Sequence, residues 1–371
     1  MYSNRISTAA RYNLLTSDIQ KNEARFNRLT AQLASGKRIT SITDDPIGAV
    51  NVVNTNRQLG QIDTFNQNVG MGMKEIETMD DLLDLAGGYL STAWDKAVQA
   101  NNGTYAASSL KSLKVEIDEI TKTMVDLANT EFNDSFVFGG ANTKLTPYTI
   151  DSNGNVIYNG TPHDNPDYKR QTEVADGVFE TINTTGDKVF GWFKNQQAQD
   201  SDGNNLFLDS NGKEVTEFTD DVGNKTYKYA DGTDYTGLVD DLTEKQDSSG
   251  VFAALGNLSK ALEEVINAKE AGDATAEQAG YEKLNSTLTM FSKSLEMMTT
   301  EQTKFGGVYN RLEMTESTLE TNGENLTSYL SEIQDVDFAK AISDWYQAQY
   351  AYQASLQVAA QSMGMSLLNY M

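Results

Sequence analysis

Asp200, Asp202 and Asn204 stand at the one–three–five spacing of a calcium loop, a pattern that could gather oxygen ligands round a hard cation. The rest of that loop is wrong for the task. Asn205 occupies the sixth position, where a sharp turn needs Gly, and Asn211 the twelfth, where a bidentate Glu is needed. The stretch therefore reads as a polar hairpin turn. His163 is the single histidine, and Pro162, Asp164 and Pro166 around it indicate an exposed loop, so a His-rich metal site or a Ser-His-Asp triad has little to draw on. The chain has no cysteine, which excludes thiol catalysis, disulfides and Cys-ligated metals. Gly139-Gly140 is not followed by the Gly-Lys-Ser/Thr of a phosphate-binding loop. Trp345, Tyr346, Tyr350 and Tyr352 could line a ligand cage, but their spacing along one helix suits packing and subunit contacts better. The expectation is no enzyme, no cofactor and no metal.

The chemistry that remains is assembly. From Thr8 onward Tyr12, Leu15, Ile19, Asn22, Phe26, Leu29 and Leu33 alternate in steps of three and four. Phe338, Ile342, Trp345, Gln349, Tyr352, Leu356, Ala359 and Met363 do the same near the other end. Such a seam must be buried against another helix, so Leu15, Ile19, Phe26, Leu29, Leu33, Phe338, Ile342, Trp345, Tyr352 and Leu356 are the candidate interface residues. Charge agrees: residues 1–43 carry a net of +5 and residues 324–371 a net of −4, in a chain of −24 overall. Arg5, Arg11, Arg25 and Arg28 are thus expected opposite acids such as Glu332, Asp335 and Asp344.

Composition limits the alternatives. The acidic balance argues against nucleic acid, which needs a basic stripe, and against anionic membranes. Mean hydropathy is −0.50, which suits an elongated helical protein better than one compact enzyme. Residues 1–25 hold no apolar run long enough for a signal-peptide core, and no stretch anywhere is long and apolar enough for a membrane span.

These seams need positioning elements. The first helix is expected to stop at Ser35-Gly36, with Gly36 as a left-handed cap. After a basic loop, Asp44-Asp45-Pro46 starts the next helix, Asp45 capping it and Pro46 in the first helical position. Leu59, Ile62, Val69, Met73, Ile76, Leu83 and Leu90 carry that helix to a turn at Asn101-Asn102-Gly103. A third helix with Leu110, Leu113, Ile117, Ile120, Met124 and Leu127 would fold back on it as an antiparallel hairpin. Between residues 140 and 250 the text turns to Gly, Asp, Asn, Thr and Tyr, with a net charge of −11, recurrent Asn-Gly and Asp-Gly turns, and β-rich runs such as 155–158 and 225–229. Helix returns after residue 251, where Leu284, Phe291, Met298, Phe305, Leu312, Leu319, Leu326 and Ile333 repeat every seven residues. The fold class is mainly α with an inserted all-β domain: long antiparallel coiled-coil helices and paired N- and C-terminal helices. The expected domains are a terminal assembly domain (1–43 and 338–371), a helical rod (44–138 and 251–337) and a separable β insertion (139–250).

The stretch Leu33-Ala34-Ser35-Gly36-Lys37-Arg38-Ile39-Thr40-Ser41-Ile42-Thr43-Asp44-Asp45-Pro46-Ile47-Gly48 resembles the N-terminal signature of bacterial flagellins, L-S-S-G-x-R-I-x-x-x-x-D-D-P-A-G. Ala34 replaces the usual Ser and Ile47 the usual Ala. The Gln/Ala/Ser-rich C-terminal helix is similar as well. The resemblance covers roughly residues 1–135 and 280–371. A second segment, Phe136-Val137-Phe138-Gly139-Gly140 followed by Thr146-Pro147-Tyr148, resembles the F-x-F-x-G…T-x-P-F/Y pattern of the hook-associated protein 3 branch of that superfamily rather than the F-N-G-x-x-L-L of filament flagellins. Ser35, Gly36, Arg38, Asp44, Asp45, Pro46, Phe136, Phe138 and Gly140 carry the two signatures.

The resemblance implies a structural subunit of the flagellum at the hook–filament junction. Its implied partners are the preceding hook-associated protein, flagellin, its own copies in a ring and a flagellar export chaperone. The implied location is extracellular, on the flagellum, reached through the flagellar secretion channel without a cleaved signal peptide. A flagellin-like filament subunit is the alternative within the superfamily. An enzyme in the β insertion is the alternative outside it, and no nucleophile–base pair or metal set supports that one.

Overall fold

The computed structural model describes residues 8–200, 202–209, 213–219, 225–239 and 242–368. The chain forms two compact units, residues 1–66 with 317–371 and residues 67–316.

The first unit contains α1 (Thr8–Ser35), the start of α2 (Pro46–Ala100), the end of α6 (Ala274–Gln334) and α7 (Phe338–Leu368). The signals at the loop after α1 act as the residue types dictate. Gly36 is left-handed (φ 69°) and ends α1. The Asp45 carboxylate accepts from the Gly48 N–H at 2.9 Å, and Pro46 is the first residue of α2. α1 lies closely alongside α7, and Ile62 of α2 reaches Gly323 of α6.

The second unit takes the remainder of α2 and α6, α3 (Ala107–Ala128), α4 (Gly186–Val189), α5 (Gly250–Ala271) and all the strands. Within it α2 and α6 run antiparallel, with Gly72 facing Leu312, Gly87 facing Leu295, and the Asn101 amide reaching the Asn285 side chain. The seven-residue repeat supplies the seam: Leu284, Phe291, Met298, Phe305 and Leu312 are buried, as are Val69, Ile76, Leu83 and Leu90 of α2. The expected α2–α3 hairpin is only partly realised. The chain turns at Asn101, and Lys96 pairs with Glu116, but the nearest helix to α3 is α5. The two helices are joined by the Ser259 hydroxyl of α5, which donates to Asp118 of α3 at 2.6 Å.

Among the described residues, twelve strands complete the unit. They are β1 (Glu131–Phe132), β2 (Ser135–Phe136), β3 (Tyr148–Ile150), β4 (Val156–Tyr158), β5 (Gln171–Ala175), β6 (Val178–Thr181), β7 (Trp192–Gln197), β8 (Leu206–Leu208), β9 (Glu214–Thr219), β10 (Lys225–Tyr229), β11 (Thr243–Glu244) and β12 (Gln246–Ser249). Two four-stranded antiparallel sheets form, β12-β7-β4-β3 and β10-β9-β8-β11, beside the hairpins β1-β2 and β5-β6. The β1-β2 loop is Asn133-Asp134, both at positive φ, which matches the right-handed twist of a two-residue hairpin.

The insertion is anchored to α5 by an aromatic cluster. Phe138, Tyr148 and Phe190 are buried against Phe252 of α5, with Phe138 and Phe190 edge-on at 5.0 Å and Tyr148 and Phe252 at 4.9 Å. Buried carboxylates tie the β5-β6 region to the helices: Glu75 of α2 pairs with Arg170, and Glu180 of β6 with Arg311 of α6. Removing one partner of such a pair leaves a buried charge unpaired. No described helix is long and apolar enough to cross a membrane.

Candidate functional site

The terminal helices meet through an aromatic stack. Phe26 lies parallel to Tyr352 at 6.1 Å and tilted against Trp345 at 5.6 Å. The Trp345 indole N–H donates to Thr30 Oγ1 at 2.8 Å, and the Thr30 hydroxyl donates in turn to the Phe26 carbonyl at 2.8 Å. Both polar groups of the seam are thereby satisfied. On α1 Leu29 is buried, and Tyr12, Leu15, Ile19, Phe26 and Leu33 are half-buried, as their spacing requires.

The stripe of α7 is turned by about one position from the one read in the sequence. Ala341, Ala348 and Ala359 are buried, while Trp345 and Tyr352 are half-buried. Phe338, Ile342 and Leu356 remain 54%, 45% and 44% exposed. These three form an apolar rim. Tyr346, Tyr350 and Val358 extend that exposed apolar rim. A notch of about 350 Å³ opens between Thr30, Leu33, Ile342, Trp345 and Tyr346. Met363 falls among the residues whose side chains are outside the description, as do Arg5 and Arg11. Among the described residues no ion pair links Arg25 or Arg28 to Glu332, Asp335 or Asp344.

The flagellin-like signature builds a clasp on the turn between α6 and α7. The Arg38 N–H donates to the Gln334 carbonyl at 2.6 Å, and the Arg38 guanidinium donates to the Ile333 carbonyl at 2.7 Å. Its other arm meets Asp45 at 3.3 Å. The Val336 N–H donates to the Gly36 carbonyl at 2.9 Å, and Gln32 donates to the Arg38 carbonyl at 2.7 Å. The carbonyls at the end of α6 have no partner inside the helix, so a guanidinium is the natural cap for them. Asp44 accepts from the backbone of Thr40 and Ser41 and from the Thr40 hydroxyl. Burial works to raise its carboxyl, but those hydrogen bonds, with Arg28 nearby, hold it below the usual range. Asp45 is also held low, first by the Gly48 N–H and then by Arg38.

Sequence reasoning missed Gln32, Ile39 and Gly48 as working parts. Ile39 is buried, and a Cβ on Gly48 would lie 2.5 Å from its Cδ1 and 2.6 Å from Asp45 Oδ2. It missed as well the apolar patch beside the clasp, where Ile42, Ile47, Val50 and Val53 are exposed around a groove of about 360 Å³.

The second signature is internal. Phe138 is fully buried, Phe136 half-buried, and Gly140 left-handed (φ 67°), with a Cβ there 2.8 Å from the Thr161 carbonyl. The Tyr148 hydroxyl donates to the Gly191 carbonyl at 2.9 Å, and burial raises its pKa well above the ordinary phenol value. The Asp200 carboxylate accepts from the backbone of Asp202 and Asn204 and from the Asn204 amide, which makes a turn of the calcium-like spacing. His163 is exposed but tied to the buried Asp187 at 2.8 Å, a contact its sequence neighbours did not reveal.

Comparison with known proteins agrees with this architecture. Residues 6–143 match the bacterial flagellin N-terminal helical region, and residues 288–371 the bacterial flagellin C-terminal helical region. Flagellar hook-associated protein 3 of Escherichia coli K12 is 23% identical over 98% of this chain and 98% of its own. A flagellin of Clostridium tyrobutyricum is 24% identical over 90% of this chain and 91% of its own. The crystal structure of hook-associated protein 3 from Legionella pneumophila superposes with a TM-score of 0.55 at 17% identity, covering 76% of this chain and 98% of that one. The two terminal regions together account for more than half of the sequence and coincide with the paired helices and their clasp: the chain belongs to the bacterial flagellin family.

Proposed function

We propose that this protein is a structural subunit of the bacterial flagellum that joins the hook to the flagellin filament, and not an enzyme. The observation that carries assembly is the apolar rim of α7, Phe338, Ile342, Tyr346, Tyr350 and Leu356, exposed on a helix already paired with α1. An apolar rim of that length on a paired helix is suited to a further helix from a neighbouring subunit. The junction position is favoured over the filament by the Phe136–Tyr148 segment and by the end-to-end similarity to hook-associated protein 3. The partners in this reading are the preceding hook-associated protein on one side, flagellin on the other, further copies of the chain in a ring, and an export chaperone before assembly. The protein then resides outside the cell on the flagellum, exported through the flagellar channel. The assembly parts in this reading are the terminal segments, residues 1–43 and 338–371.

The test is to locate a labelled copy on isolated flagella. A single band between hook and filament is the expected result. Label along the whole filament would instead make the protein a filament subunit.

A further inference from the structure

The largest cleft described in the second unit is about 690 Å³ and lies between β8, the β11–β12 segment and the helices α5 and α6. Three lysines converge on it, Lys245, Lys260 and Lys283, in a chain whose net charge is −24. Two are already compensated: Lys283 donates to Glu264 at 2.8 Å, and Lys245 pairs with Glu214. Lys260 is half-buried and has no ion-pair partner among the described residues. An anion in the cleft would give that ammonium a counter-charge. The rest of the lining has two characters. Leu208 and Met290 offer apolar surface, while Asn257 offers an amide whose one recorded bond is a long contact to the Met290 sulfur at 3.8 Å. Apolar walls with a few convergent polar groups are the usual make-up of a small-molecule site, and the volume is in that range.

We propose that this cleft binds a small hydroxylated carboxylate, of the uronic-acid type, with its carboxylate on Lys260, its hydroxyls on Asn257 and Ser248, and its C–H face on Met290 and Leu208. A bare inorganic ion would leave the apolar wall and the amide unused. A neutral sugar would leave Lys260 uncompensated. This assignment is independent of where the protein sits on the flagellum.

Titration calorimetry of the full chain with glucuronate, glucose, acetate and inorganic phosphate tests it. Glucuronate should bind saturably and at least about tenfold more tightly than the other three, the scale of one charged hydrogen bond. Lys260→Gln should weaken glucuronate by about tenfold and Lys260→Arg should retain it, both with unchanged helical circular dichroism. Lys111→Gln, on the surface elsewhere, should bind as the parent does. The proposal is overturned if glucuronate does not saturate, if Lys260→Gln binds it equally well, or if acetate or phosphate binds as tightly.

Discussion

Arg38 and Ile333 are 295 residues apart in sequence, yet the guanidinium of one donates to the carbonyl of the other at 2.7 Å. Through that bond the loop after the first helix caps the end of the sixth, so one signature arginine fixes where the two ends of the chain meet. An arginine suits the position because its planar fork serves the Ile333 carbonyl and the Asp45 carboxylate at once.

Arg38→Lys should therefore not be conservative. A lysine presents its donors from one nitrogen and lacks the planar fork that spans the two acceptors. The expected loss is about 1 kcal/mol, small because the guanidinium is half exposed. Urea denaturation of the full chain, with amide exchange followed at Gly36–Arg38 and Gln334–Val336, measures it. Unchanged exchange at both segments would mean the clasp is held by the backbone bonds alone.

Gly36→Ala tests the same turn through the backbone. A Cβ at φ 69° costs roughly 1–2 kcal/mol, and the Phe338 ring lies 3.6 Å from where it would stand. A melting temperature equal to the parent's would show that the left-handed turn is not required.

The clasp should weaken in acid. Asp44 and Asp45 are both held below the usual carboxylate value of 3.8. A group with a depressed folded pKa stabilises the fold above its unfolded pKa and loses that contribution as pH falls through the folded value. Stability from these two should thus be complete near neutrality and decline below about pH 4. Asp44→Asn with Asp45→Asn should flatten that part of the stability curve, and an equally steep acid limb in the double variant would place its cause in other carboxylates.

Ile342→Ala with Leu356→Ala separates folding from assembly. Both side chains are about half exposed in the subunit, so its melting temperature should change little. Once buried by a neighbour, each truncation would cost roughly 2–5 kcal/mol, enough to stop incorporation. Cells should then make hooks without filaments and release flagellin to the medium. Arg25→Ala alone should only weaken incorporation and make it salt-sensitive. Normal filaments on the double variant would remove the α7 rim from the interface.

Phe138→Ala should act in the opposite sense. The ring is fully buried against Phe190, so the loss is about 3–5 kcal/mol in subunit stability. Deletion of residues 140–250 removes the Tyr148 and Phe190 partners of Phe252, together with Arg170 and Glu180, and should lower helical circular dichroism in what remains. A deletion variant with the helical signal and melting temperature intact would show that the insertion is a separable domain.

The sequence alone determined the elements and the family. The repeat from Leu284 to Leu319, the Gly36 stop and the Asp45-Pro46 start are local, set by the backbone preferences of a few neighbouring residues, and each is found where the sequence puts it. The strand at Lys225–Tyr229 follows from the same kind of local pattern. Tertiary structure alone decided how α7 is rotated: Trp345, Tyr352 and Ala359 of the expected stripe face inward together with Ala341 and Ala348, while Phe338, Ile342 and Leu356 stand exposed. It decided that α3 lies nearest α5 and not α2. It also decided the partners of Arg38, Glu75 and Glu180. Periodicity says that a face must be covered, but closeness of packing and long-range pairing depend on side chains brought together from distant parts of the chain, which no window of sequence contains.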